Sequence, residues 1–365
     1  MNWSAYLRTL AIVMVASCSL SCWGQEKQSF IEDSTIVYVS CDTIRLSATL
    51  AIPTNGQEKH PAVVLVSGTG KQDRDCNMAG HLLFKEISDY LVSQGIAVLR
   101  SDDRGVGGST GCYEEATTYD FALDALAAVE YLKSRTDIDC KKIGLIGHSE
   151  GGAAISIATS QSPDVAFMVS LSGLMLDGLS ALIRQNRDLI DAYPLSEEDK
   201  KLYNDINERM FNTAFRYADS DNLEEELMAT YNHWRTDTTN AHIRFSIYMY
   251  TIAATSPWYR FHIRYNPAEY LSKINVPVLL INGEKDVMVN AQEHSANALR
   301  CLSHNPNVES HIFPGLNHLL LPCEKGIPEE YWQIESQTSS DVLNLLGEWI
   351  LQQIPKSTGT QIKAN

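Results

Sequence analysis

The chain has 365 residues, 44% of them hydrophobic and 20% charged, which is enough apolar material for one large core with or without a smaller insertion. Its formal charge of -16 argues against nucleic acid or an anionic membrane surface as partner, because both require a basic footprint. No long low-complexity tract interrupts it, so a globular protein is expected.

The first residues read as a secretory signal. Arg8 precedes an apolar run, Leu10 to Ala16, and small residues follow. The run is too short to span a bilayer. Val15-Ala16-Ser17-Cys18 is similar to the lipobox of bacterial lipoproteins, whereas cleavage after Gly24 would release a soluble product. Residues 1–24 are therefore expected to be removed or lipidated on export. The mature protein would be periplasmic, or attached to the outer membrane or cell surface through Cys18. Of eight cysteines, six lie beyond this segment, and their fifteen possible pairings leave the disulfides open. None has zinc-ligand spacing, so no structural metal is expected.

Thr35 to Cys41 and Thr43 to Ile52 predict an opening antiparallel hairpin, ended by Pro53-Thr54-Asn55-Gly56. Ala62 to Val66 is a continuous apolar run, as in a strand buried on both faces, and Ser67-Gly68-Thr69-Gly70 follows it as a glycine-bearing loop. A helix through Ile87 to Val92, a strand at Ile96 to Arg100 and a second glycine-rich loop at Asp102 to Ser109 come next. Asp102 and Asp103 are expected to pair with Arg104. Thr117-x-x-Asp120 predicts a capping box, and Phe121, Ala125, Ala128 and Leu132 recur at helical spacing. Val165 to Leu171 is another buried strand.

From Leu174 to Tyr270 no strand pattern is found. Ser196-x-x-Asp199 starts a helix with Leu202, Ile206 and Met210 on one face. Leu223, Leu227, Tyr231 and Trp234 mark a second, and Ile243, Ile247 and Tyr250 a third. Strands resume at Val276 to Ile281 and Val308 to Phe313. Thr338-x-x-Asp341 predicts the cap of a last helix, which Pro355 stops. The pattern is α/β, a mostly parallel central sheet flanked by helices, with a helical lid inserted at 174–270 between core segments 35–173 and 271–355.

The chemistry is carried by Lys142 to Ala154, where a buried strand meets Gly147-His148-Ser149-Glu150-Gly151 and then a run of small residues. This is G-x-S-x-G in the strand–turn–helix context that a nucleophile elbow demands. A serine needs a base, and the base needs an orienting carboxylate. His318 and Asp286 both fall just beyond predicted strand ends, at the sheet edge where ligands bind. Glu284 lies nearer its strand than Asp286, His148 sits inside the elbow, and His294 and His304 do not follow strands. Trp258, Tyr259 and Phe261, near the end of the insertion, are candidates for a pocket wall, with packing of the insertion as the equal alternative.

With S-G-T-G-K-Q-D-R-D at Ser67 to Asp75, D-D-R-G-V-G-G-S at Asp102 to Ser109, G-H-S-E-G-G, N-G-E-K-D and P-G-L-N-H, the chain resembles the α/β-hydrolase superfamily. Within it the blocks are similar to bacterial esterases of the dienelactone-hydrolase-like and S9-peptidase-like groups. The resemblance implies an oxyanion hole made by the backbone N–H groups of Thr69 and Glu150. Two departures stand out: dienelactone hydrolases use a cysteine nucleophile, and S9 peptidases usually carry an N-terminal β-propeller. The expectation is a cofactor-free serine hydrolase that acts on a small-molecule carboxylic ester. Amide, peptide or thioester hydrolysis by the same triad, and a binding protein without turnover, are the rivals.

Overall fold

The computed structural model describes residues 30–354; the expected signal peptide, Cys18 and Pro355 lie outside that range. Eight strands form one sheet: β1 (Phe30–Ser40), β2 (Ile44–Pro53), β3 (His60–Val66), β4 (Ala97–Ser101), β5 (Ile138–His148), β6 (Phe167–Leu171), β7 (Val278–Gly283) and β8 (Val308–Phe313). Their spatial order is β1-β2-β4-β3-β5-β6-β7-β8. From β4 onward all neighbours are parallel, and β2 runs antiparallel to both β1 and β4. The crossover at β3–β4 opens the sheet edge at the C-terminal ends of β3 and β5, where a ligand site is expected.

Helices cover both faces. α1 (Leu83–Ser93) and the last helix (Ser340–Gln353) bury Ile87, Leu91, Leu346 and Trp349 against one side. On the other side α2 (Thr118–Lys133) and α3 (Glu150–Gln161) present Ala125, Ala128, Ala154 and Ile157. The small residues of α3 let it lie close to the strands, which places its N-terminus at the sheet edge. The Thr117–Asp120 capping box is formed in full and starts α2.

Between β6 and β7 the chain is helical: α4 (Gly178–Ala192), α5 (Glu197–Tyr217), α6 (Leu223–Trp234), α7 (Ile247–Thr255), α8 (Pro257–Arg264) and the short α9 (Ala268–Leu271). This insertion has a core of its own, in which Ile206, Met210, Leu223, Leu227 and Trp234 meet. After β7 comes α10 (Ala291–Cys301), and the last helix is α11.

Three local expectations are corrected. Thr338 does not cap α11: Ser339 precedes the helix without a side-chain cap, and the Thr338 N–H donates instead to Glu86 at 2.8 Å, tying the segment to α1. Ile243 is not part of α7. The Arg235 guanidinium donates to the Asn240 carbonyl at 2.7 Å and the Ile243 carbonyl at 3.4 Å, holding this stretch out of the helix. Nor does Arg104 pair with Asp102 or Asp103. It faces α2 and binds Asp124 and Asp120, while Asp102 takes Arg74 in a two-pronged contact and Asp103 faces the loop after β3. The side chains on this loop diverge: Arg104 turns to α2, while Asp102 and Asp103 both turn to the loop after β3.

Candidate active site

β5 ends at His148, and α3 begins at Glu150, which leaves Ser149 alone to make the turn. Its backbone is at φ 55°, ψ -122°, a left-handed conformation that L residues adopt only under constraint. The constraint is visible on both sides. The Ser149 N–H donates to the Leu171 carbonyl at 3.0 Å, and its own carbonyl accepts from Leu174 at 2.9 Å. A Cβ at Gly147 would strike the Gly151 carbonyl, and one at Gly151 would strike the carbonyls of Val66 and Ser67. The elbow therefore requires both glycines of the G-x-S-x-G pattern.

The other two members of the candidate triad are brought to the same place by the loops after β7 and β8. The Nδ1–H of His318 donates to Asp286 Oδ2 at 2.8 Å. Asp286 Oδ1 accepts from the N–H groups of Met288 and Val289, both at 2.8 Å, and the side chain is fully buried. Asn317 fixes the histidine loop by accepting from Leu319 at 2.9 Å and Leu321 at 3.1 Å. With Nδ1 committed to the carboxylate, Nε2 is left with its lone pair. Glu284 turns away and accepts from the Gly315 N–H at 3.1 Å. His148 Nε2 bonds the His318 carbonyl at 2.9 Å, and His294 accepts the Met175 N–H on Nδ1 at 2.9 Å. Burial holds His148 down at about 3, helped by the proximity of His318, and holds His294 down at about 4, so both are neutral near pH 7.

Thr69 lies on the loop after β3, and Glu150 is the first residue of α3, with its N–H at the positive end of the helix dipole. Among the described residues neither N–H donates to a protein acceptor. The Glu150 side chain has a different place. It is buried, accepting from Thr69 Oγ1 at 2.7 Å, Thr118 Oγ1 at 2.6 Å and Trp258 Nε1 at 2.7 Å.

Ser149, His318, Thr69 and Glu150 all line one cavity of about 340 Å³, walled by Leu174, Leu182, Trp258, Met288, Val289 and other residues. Trp258 is thus at the cavity, but Tyr259 and Phe261 are not among its lining. Tyr259 is buried in the insertion and bonds Tyr250 through their hydroxyls at 2.9 Å, and Phe261 packs against the main core. The residue that sequence reading missed is His262, one helical turn beyond Trp258 and stacked on it at 4.7 Å. The i, i+4 spacing of Trp258 and His262 on an amphipathic helix was the available signal. Burial lowers the basicity of His262, and its Nδ1 has no partner among the described residues. The six cysteines after the N-terminal segment are all free thiols. Among the described residues no group of three or more His, Cys, Asp or Glu side chains is arranged to hold a metal ion, and no helix is long and apolar enough to cross a membrane.

Sheet, elbow and flanking helices define an α/β-hydrolase of the serine hydrolase type. The sequence model of the X-Pro dipeptidyl-peptidase (S15) family matches residues 42–319, and the chain belongs to that family. It is 25% identical over 308 residues to esterase EstD of Thermotoga maritima, covering 84% of this chain and 66% of EstD. It spans about half the length of other curated relatives, 50% in the case of the putative hydrolase YtaP of Bacillus subtilis. Among solved structures, Est1E of Butyrivibrio proteoclasticus with ferulic acid bound superposes with a TM-score of 0.51 at 20% identity, over 88% of this chain and 100% of that one. The Pyrococcus furiosus esterase Pf2001 gives 0.53 at 18% identity, over 89% and 92%. At these identities the two structures speak for the fold alone.

Proposed function

We propose that the protein hydrolyses carboxylic esters with an apolar acyl group, through an acyl-enzyme on Ser149. The observation that carries this reading is the buried Asp286–His318 pair, opening with Ser149 onto one largely apolar cavity. The substrate carbonyl oxygen sits between the N–H groups of Thr69 and Glu150. His318 Nε2 takes the Ser149 hydroxyl proton as Oγ attacks, and the tetrahedral oxyanion is held by those two donors. Collapse breaks the ester C–O bond, and His318 returns the proton to the leaving alkoxide. Water then attacks the acyl-enzyme, giving its proton to His318, and the acid leaves as Ser149 regains its hydrogen. Asp286 keeps the imidazole in the working tautomer and stabilises its charge.

A second reading has the family match behind it: release of an X-Pro dipeptide from a peptide N-terminus by the same triad. Such a substrate carries a free ammonium, which needs a carboxylate. The carboxylate at the cavity wall is Glu150, and its two oxygens already accept three hydrogen bonds. Ester cleavage is therefore favoured. Steady-state assays of the full chain with p-nitrophenyl esters of graded acyl length, against X-Pro p-nitroanilides, separate the two. A higher kcat/KM on the anilides overturns the ester reading.

Export is part of the proposal and rests on Arg8, the Leu10 to Ala16 run and Cys18. Intact mass of the natively expressed protein should show loss of at least the first ~17 residues by that signal logic. Acylation of Cys18 decides for a lipoprotein, an N-terminus at Gln25 for a soluble product, and a retained Met1 removes both. The helical insertion is proposed to act as a lid that excludes water from the cavity.

A further inference from the structure

The Glu150 side chain joins three parts of the molecule that are far apart in sequence. Thr69 is on the loop whose N–H is proposed to hold the oxyanion, Thr118 opens α2, and Trp258 is on α8 of the helical insertion. The rest of the Thr69 loop is tethered too. Asp103 accepts from Ser67 Oγ at 2.7 Å and the Gln72 N–H at 2.8 Å, and the Gly70 N–H donates to the Tyr113 hydroxyl at 2.6 Å. Those tethers come from the Asp102–Ser109 loop and from the segment that leads into α2. Among the hydrogen bonds of the described residues, the one through Glu150 to the Trp258 indole links this loop to the insertion. A buried carboxylate is costly to place unless its hydrogen bonds are filled, so the arrangement is stable only when all three donors are docked. The indole N–H can only donate, whereas the two hydroxyls can reorient.

We propose that the Glu150 side chain is a positioning residue, which couples docking of α8 to the placement of the Thr69 N–H in the oxyanion hole. The catalytic donor of Glu150 is its backbone N–H, and its carboxylate acts at one remove, through the Thr69 side chain. Seating of the Trp258 indole gives the carboxylate its third donor, and the carboxylate so filled accepts from Thr69 Oγ1 and holds the Thr69 loop in register with Ser149. The insertion then does more than cover the cavity, since its position sets the strength of oxyanion stabilisation. This inference rests on the reading of Ser149 as nucleophile.

The test uses the full chain and the rate of Ser149 phosphonylation by a fluorophosphonate probe, which needs the oxyanion hole but no knowledge of the natural substrate. Thr69→Val keeps the backbone N–H and removes the tie, and Trp258→Phe keeps an aromatic wall and removes the indole N–H. Each should slow phosphonylation by about 10-fold, and Glu150→Ala by up to about 100-fold, as expected for a reacting group misplaced by about 1 Å. Because both single changes break the same chain of contacts, the double variant should be no slower than the slower single. Glu150→Gln, which can still accept from the indole while its amide donates to a hydroxyl, should restore most of the rate lost in Glu150→Ala. A wild-type protein that does not react with the probe overturns both the nucleophile assignment and the coupling. A reactive wild type overturns the coupling alone if Trp258→Phe reacts at the wild-type rate, or if the double variant shows the product of the two single effects. Should Glu150→Ala fail to fold, the Thr69 and Trp258 pair still decides.

Discussion

His148 Nε2 lies 2.9 Å from the backbone carbonyl oxygen of His318, so the residue before Ser149 holds the segment that carries the proposed base. His148 is buried and neutral, and the contact is a hydrogen bond from its ring N–H rather than an ion pair. Serine and base are thereby fixed relative to each other by backbone and ring atoms, not only by their own side chains. His148→Phe should keep most of the volume, lose the bond and lower kcat by roughly 10- to 100-fold with a smaller change in KM. Steady-state kinetics on one ester would check it, and an unchanged kcat would show that His148 only fills space.

The triad assignment has its own outcome. Ser149→Ala and His318→Ala should each reduce kcat by about 10⁶-fold, and Asp286→Asn by about 10⁴-fold through the wrong imidazole tautomer. Glu284→Gln should remain active, since Glu284 faces the Gly315 N–H and not His318. A dead Glu284→Gln beside a near-normal Asp286→Asn would reverse the two carboxylates.

Acid stability follows from the buried histidines. Burial depresses the folded-state value of His294 to about 4, below the usual 6.5. Between those limits the unfolded chain binds a proton that the folded chain refuses. The stabilising contribution is therefore complete above pH 6.5 and is lost as pH falls toward 4, with a slope of about 1.4 kcal/mol per pH unit for each such group. His294→Asn keeps an acceptor for the Met175 N–H and removes the titration, so that slope should drop by about one proton's worth. Urea unfolding from pH 4 to 7 would measure it, and an unaltered slope would mean that His294 protonates in place.

Trp258→Ala should open the acyl side of the cavity. Preference should move toward larger acyl groups, with relative kcat/KM changing by about 10-fold or more, as one lost wall contact is worth about 1–3 kcal/mol of discrimination. A profile that stays fixed across acyl lengths would place acyl selection on Leu182 or Met288 instead.

Much of this arrangement was legible before any coordinates. The apolar runs of β3, β5 and β7 are buried on both faces, which leaves a signal that does not depend on tertiary detail. Ser149 and Asp286 stand out as candidates because each follows such a run, whereas His318 follows β8, a half-exposed strand, and joins the candidate triad by chain order. The insertion was harder to read. Its helices pack against each other as much as against the sheet, so aromatic residues serve core and cavity alike. Tyr259 and Trp258 are neighbours in sequence with similar chemistry, yet one is locked to Tyr250 and the other reaches Glu150. Nothing local distinguishes them. The role of the Glu150 side chain was hidden for another reason: its three partners lie 81, 32 and 108 residues away. On the Asp102–Ser109 loop, proximity along the chain does not bring side-chain ends together, so the partners of its charges cannot be read from spacing.

The left-handed backbone of Ser149 sets durability and reactivity against each other at a single residue. A non-glycine residue held there costs on the order of 1–3 kcal/mol of folding free energy. Glycine at that position would relieve the cost and remove the hydroxyl proposed as nucleophile in the same step. Under selection for heat tolerance alone, Ser149→Gly is thus an accessible route to a sturdier, inert protein. Libraries screened for thermostability should be expected to collect it unless turnover is scored in parallel, and a serine retained here through such a screen reports that hydrolysis was being selected.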